Sequence, residues 1–250
     1  MRIHPVGRHA LLLEWAAPAG TVPSGDSELE DSELRGSERG PVDAWRAELS
    51  RRRELGELRV AEIVPGARTI LLDGLPDPAL TASQLAGWQP AAAEAVDDTG
   101  RWITVPVRFD GPDLIDVAGQ WEVAVADVVD RLTRIEFTVA FCGFAPGFGY
   151  LTGLPRRWSV SRRATPRPAV PAGSVALAGE YAGIYPTASP GGWQLVGRTD
   201  LVLFDLDREP PATLTPGTRV RLTATGPTAP GPTATGPVAP QAPAGTGADR

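Results

Sequence analysis

FCGFAPGFGYL (Phe141–Leu151), followed closely by RRATPRPAVPAGSVALAGEYAGIYPTASPGGWQLVGRT (Arg162–Thr199), interleaves glycine, proline and aromatic residues throughout. Glycine permits positive φ and close backbone approach, while Pro146, Pro166, Pro168, Pro171, Pro186 and Pro190 fix φ and exclude helix interiors. The stretch therefore predicts short strands joined by tight, shaped loops, as in a closed or partly closed barrel. Loops this dense in Arg, Tyr, Trp and Gln line something.

Upstream, Ile135 to Phe141 reads as a strand, and Val123 to Leu132 as a helix carrying Val125, Val128, Val129 and Leu132. GPDL (Gly111–Leu114) starts a shorter helix with Asp113 near its cap. Before it, Ile103, Val105, Val107 and Phe109 alternate strictly along a strand from Trp102. Nearer the N-terminus, Arg2 to Val6 and Ala10 to Glu14 form two strands around the Gly7 turn. Val42 to Leu55 is an amphipathic helix with Pro41 at its first position. Strands at Leu58–Val64 and Thr69–Leu72 follow, and Asp77-Pro78 opens a helix toward Trp88.

The fold class is thus α+β, a small α+β layer followed by a run of short strands suited to a barrel. Two segments lack an apolar face. One is the acidic insertion at about 17–40, containing GDSELEDSELRGSERG, and the other is the tail at 223–250, where TATGP occurs twice. Both are expected to be disordered.

The 250 residues carry a net charge of -6, which disfavours a nucleic-acid binder because no basic patch can neutralise phosphates. No run reaches the roughly 18 apolar residues of a membrane span, and Arg8, His9 and Glu14 interrupt any signal-like stretch. One cysteine, Cys142, excludes an internal disulfide, and a reducing cytoplasm is the expected location. All 24 basic residues are arginine. Without lysine the chain has no P-loop lysine, no Schiff-base lysine and no lysine to carry biotin.

The blocks RIHPVGRHALLLEW, VAEIVPGARTILL, ITVPVRFDGPDL, GFAPGFGYL, RRATPRPAVPAGSVALAG, GIYPTASPGGWQLVGRT and LFDLDREPP together resemble the family of allophanate hydrolase subunit 1, KipI and the 5-oxoprolinase B subunit (PxpB). The resemblance implies a carboxyltransferase-type chain with a small N-terminal α/β sandwich domain over 1–90 and a cyclophilin-like β-barrel domain over 91–222. It implies a subunit of an ATP-dependent 5-oxoprolinase, which cleaves 5-oxo-L-proline to L-glutamate with a C subunit (KipA-like) and an A subunit (LamB/YcsF-like). ATP is then expected at a site composed with a partner. Two alternatives belong to the same family. One is a KipI-like inhibitor of a sensor histidine kinase, the other the carboxyltransferase part of a biotin-dependent urea or amide carboxylase. In the family a histidine commonly precedes the strand leading into GFxPGF, and Leu132 stands there in this chain.

His4 and His9, the only histidines, lie in the first strands, and no cluster of metal ligands is present. Cys142 lacks a nearby histidine and reads as a buried structural thiol. What remains is a recognition surface. Arg163, Arg167 and Arg198 each offer a guanidinium fork for a carboxylate or phosphate, and the Pro190-Gly191-Gly192 turn offers N–H groups to a phosphate-bearing cofactor. Phe144, Pro146, Phe148, Tyr150, Tyr185, Trp193 and Gln194 are expected to shape a pocket for a small lactam or amide. Against this stands a structural reading in which several arginines pair with Asp205, Asp207 and Glu209.

Overall fold

The computed structural model describes residues 1–16, 41–90 and 101–226. The acidic insertion, residues 91–100 and the tail beyond 226 lie outside the described residues. Alternating side chains at the N-terminus pair β1 (Arg2–Val6) with β2 (Ala10–Glu14), antiparallel around the Gly7 turn. β3 (Glu62–Pro65) and β4 (Thr69–Asp73) complete a four-stranded sheet in the order β1-β2-β4-β3. Leu58 precedes β3 instead of starting it, although its side chain is buried in the same core.

Two helices belong to this sheet. α1 (Pro41–Glu54) buries Val42, Trp45 and Leu49, the apolar positions at helical spacing. α2 (Pro78–Gly87) begins as its sequence dictates, with Pro78 in the first turn and the Asp77 carboxylate accepting from the Leu80 amide at 3.0 Å. Leu11, Leu13, Leu49, Ile70, Leu72 and Leu85 form an apolar core separate from the one described next.

The second sheet has seven strands in the order β12-β9-β10-β7-β6-β13-β5. These are β5 (Trp102–Val107), β6 (Glu136–Cys142), β7 (Gly149–Thr152), β9 (Ser174–Ala178), β10 (Tyr181–Ile184), β12 (Gln194–Arg198) and β13 (Arg219–Ala224). β13 lies parallel to β5 and antiparallel to β6. The sheet curls until its two edges meet: Arg108, just beyond β5, exchanges two backbone hydrogen bonds of 2.8 and 2.9 Å with Arg198 at the end of β12. This nearly closed barrel is consistent with a cyclophilin-like fold. A ribbon of β8 (Arg167–Val170) and β11 (Ser189–Gly191) stands beside it.

α3 (Leu114–Gln120) and α4 (Val125–Arg134) pack on the barrel, and Val117, Val128 and Leu132 enter its main core. Leu132 is fully buried, so the place given to histidine in the family is here part of an apolar face. The tail reading needs one correction. Thr223 and Ala224 belong to β13, opposite Pro106 and Val107, and the Thr225 amide donates to Val107. Parallel pairing with a distant strand leaves no mark on local composition.

Candidate functional site

Phe141 on β6 and Tyr150 on β7 are cross-strand partners, and their rings stack with centroids 4.4 Å apart. Tyr181, at the start of β10, meets both rings edge-on at 5.8 and 6.0 Å, and Trp193 meets Tyr150 at 5.6 Å. These four side chains line a cleft of about 790 Å³. Its opposite lip is the segment Ser159–Arg162, and Ala67 from the β3–β4 turn completes it. Burial pushes the Tyr181 phenol above its ordinary range, with Glu180 adding to the shift, so the hydroxyl remains a neutral donor.

The lip is held rigidly. Val160 and Gly179 exchange backbone hydrogen bonds of 2.9 and 2.7 Å, and the Ser161 amide donates to Gln120 Oε1 at 2.8 Å. Gln194 Nε2 donates to the Ser161 carbonyl at 3.0 Å, and the Arg163 amide donates to the Gly192 carbonyl at 2.9 Å. Beneath the lip lies Asp113. Its backbone caps α3, but its side chain makes no capping bond. The carboxylate, 2% exposed, accepts instead from Arg163 Nη1 at 2.8 Å, Arg167 Nη2 at 2.6 Å and the Leu195 amide at 2.7 Å.

The sequence-derived candidates therefore separate into groups. Tyr150 and Trp193 line the cleft. Arg163 and Arg167 bind the Asp113 buttress, Gln194 holds the lip through the Ser161 carbonyl, and the partner of both arginines is Asp113 instead of the carboxylates at 205–209, where Asp205 pairs with Arg208. Arg167 Nη1 and Gln194 Oε1 are enclosed without partners among the described residues. Arg198 lies elsewhere, donating through Nε and Nη2 to Asp110 beside a smaller cleft of about 260 Å³.

Phe148 and Tyr185 are buried and meet edge-on at 5.4 Å, behind the cleft wall. Phe144, exposed and at φ 69°, leans on both, with Pro146 exposed beside it. A Cβ on Gly191 collides with the Tyr185 hydroxyl, so that glycine is needed for packing, and the Gly192 carbonyl accepts from the Arg163 amide. Burial also raises the Tyr185 and Cys142 pKa values, and Cys142 Sγ donates to the Leu214 carbonyl. His4 contacts Glu14 on the first sheet, far in sequence from the cleft. Phe141, Tyr181 and Arg162 were not singled out by sequence. The signal for the first was available, because two aromatic residues flanking a tight FCGFAPGFGY hairpin become cross-strand neighbours.

The family model of the carboxyltransferase domain, subdomain C and D, matches residues 1–214. The chain belongs to this family. The resemblance read from the motif blocks is thereby borne out, and the match includes every cleft-lining residue. The chain is 43% identical over 168 residues to the 5-oxoprolinase B subunit of Escherichia coli O157:H7, covering 65% of this chain and 77% of that protein. It is 42% identical over 132 residues to the 5-oxoprolinase B subunit of Bacillus subtilis (strain 168), covering 52% of this chain and 55% of that protein. The solved structure of TTHA0988 superposes with a TM-score of 0.61 at 29% identity, over 88% of this chain and 41% of that one. The chain thus spans about two fifths of that longer relative.

Proposed function

We propose that this chain is the B subunit of an ATP-dependent 5-oxoprolinase and acts only within a complex containing A and C subunits. The observation that carries the reading is the 43% identity to a 5-oxoprolinase B subunit within a family match that includes the whole cleft. The cleft's chemistry supports a non-autonomous role. Its lining is aromatic, hydroxylic and cationic, with no carboxylate, histidine or thiol among the described lining residues to move protons. Opening an unstrained lactam has little driving force near neutral pH. Transfer of the ATP γ-phosphoryl group to the amide oxygen would activate the ring carbon for attack by water; the C–N bond would then break with the ring nitrogen leaving as an amine, and a second water would split the resulting acyl phosphate into the carboxylate and inorganic phosphate. ATP is assigned to a site shared with a partner, since this chain has no lysine for a P-loop.

We read the chain as two units, about 1–90 and 91–224, supported by their separate apolar cores. The single-chain relative of more than twice the matched length supports a partner fused or docked to this fold. A reducing cytoplasmic location accords with the lone Cys142; among the described residues no helix is long and apolar enough to cross a membrane. The test is reconstitution with the A and C homologues, following glutamate and ADP release with each component omitted in turn. Turnover is expected only from the full set. Robust hydrolysis by this chain alone, or none by the full set, overturns the assignment.

A further inference from the structure

Arginines dominate the loops around the barrel, and most of those near the cleft are already committed. Arg163 and Arg167 are bound to Asp113, Arg198 to Asp110, and Arg156 lies 3.7 Å from Glu180. Arg162 differs. It lines the cleft, is exposed, and has no ion-pair partner among the described residues. Its backbone is set by its neighbours in sequence, since Ser161 and Arg163 are both fixed by their backbones, and the Arg163 side chain turns inward to Asp113 and leaves Arg162 on the cleft side.

We propose that Arg162 is the carboxylate-binding residue of the cleft, and that the cleft takes a small cyclic carboxylate whose ring rests among Tyr150, Tyr181 and Trp193. Identifying that carboxylate as a carboxylated lactam rests on the 5-oxoprolinase reading. The aromatic walls supply apolar faces for a flat ring, and the Tyr150 and Tyr181 hydroxyls and Ser159 and Ser161 supply polar groups for its amide edge. Arg162 is the one charged residue among the cleft-lining residues, so the cleft selects anions. Asp43, Arg68 and Glu180 act on Tyr181 from the rim, where Glu180 is drawn toward Arg156. A guanidinium offers a planar fork to a carboxylate, and the lip fixes the backbone from which it extends, so that only the side chain has to be ordered on binding. An open cleft leaves the ion pair in water, where it is weak. A partner that covers the cleft strengthens it by excluding solvent.

The experiment uses the reconstituted complex with Arg162→Gln or Arg162→Lys in the full chain, beside Arg134→Gln, at the exposed end of α4 and paired with Asp130, as an off-cleft control. Arg162→Gln is expected to raise KM for 5-oxoproline by about tenfold or more with kcat little changed, Arg162→Lys by less, and Arg134→Gln not at all. Inhibition by 2-pyrrolidinone, which lacks the carboxylate, is expected to be the same in all four proteins. A KM within about twofold of the parent for Arg162→Gln in an active complex overturns the role of Arg162 and leaves the 5-oxoprolinase reading intact. An inactive parent complex removes that reading instead. The cleft is then judged by the Trp193 indole NMR signal of the isolated chain. A shift with millimolar 5-oxoproline that Arg162→Gln abolishes supports the proposal, and no shift overturns it.

Discussion

Asp113 shows how one side chain sets the positions of several others. Its sequence context predicts a helix cap, but the carboxylate is turned beneath the cleft lip, where it receives two guanidinium groups and a backbone amide. Removing one partner of a buried charge cluster leaves the others desolvated and unpaired. Asp113→Ala is expected to cost about 3 kcal/mol, toward the low side because both arginines still reach solvent. Asp113→Asn keeps an acceptor for the Leu195 amide and should cost less. Thermal melts, paired with KM for 5-oxoproline in the complex, check this: loss of the buttress should raise KM through the displaced lip. Wild-type stability in Asp113→Ala would show that the cluster contributes nothing net. The residue types of this site were legible in the sequence, and their assignments were not. In the Arg162-Arg163 pair, adjacent side chains diverge to cleft and buttress, a distinction that depends on Asp113 lying 50 residues earlier than Arg163.

At the scale of elements, local chemistry and structure agree wherever the signal is local. The β1 and β2 spans and the Asp77-Pro78 helix start follow from alternation and capping alone. The end of β13 did not, since its last residues, Thr223 and Ala224, gain their strand conformation from parallel pairing with β5, about 120 residues away. Helix α1 holds a further local device. Glu48, 6% exposed, accepts from Arg51 Nε and Nη2 at 2.9 Å and from Arg52 Nε at 2.6 Å. The Arg51 hydrogen bonds, against an opposing burial cost, hold its carboxyl below the usual range. The folded pKa is depressed, so this stabilisation is present above the unfolded value of about 4.3 and is lost as pH falls through the folded one. With Arg51 half exposed, Glu48→Gln should cost about 1 kcal/mol at pH 7, or roughly 2–4 °C in Tm. The gap between variant and parent should close below about pH 4. An equal gap at pH 7 and pH 3 would mean that packing, not charge, is what the substitution disturbs.

For the whole molecule, the decisive contact is the seam where the seven-stranded sheet meets itself. Strand signals predicted a barrel, but closure depends on two backbones approaching closely, and glycine is what allows it. A Cβ on Gly197 lies 2.6 Å from the Arg108 carbonyl oxygen and 2.8 Å from Val107 Cγ1, and one on Gly111 collides with the backbone at Leu195 and Val196. The same seam holds the N-terminal end of α3 against β12 through the Gly111 and Asp113 amides, which donate to Val196 and Leu195. Closing the barrel and seating the Asp113 buttress are therefore one structural event. Gly197→Ala is expected to cost about 3 kcal/mol, because its obstacles are largely backbone and cannot rotate away, which lowers Tm by roughly 6–12 °C. Gly87→Ala is the control, since a Cβ there meets nothing within 4 Å and sits in helix α2. It should leave Tm unchanged or raise it slightly by restricting the unfolded chain. Calorimetric melts of both variants measure the contrast. If the barrel edges are held only by side chains, the two alanine substitutions will melt alike, and the lip over Asp113 will have to be anchored by something other than the seam.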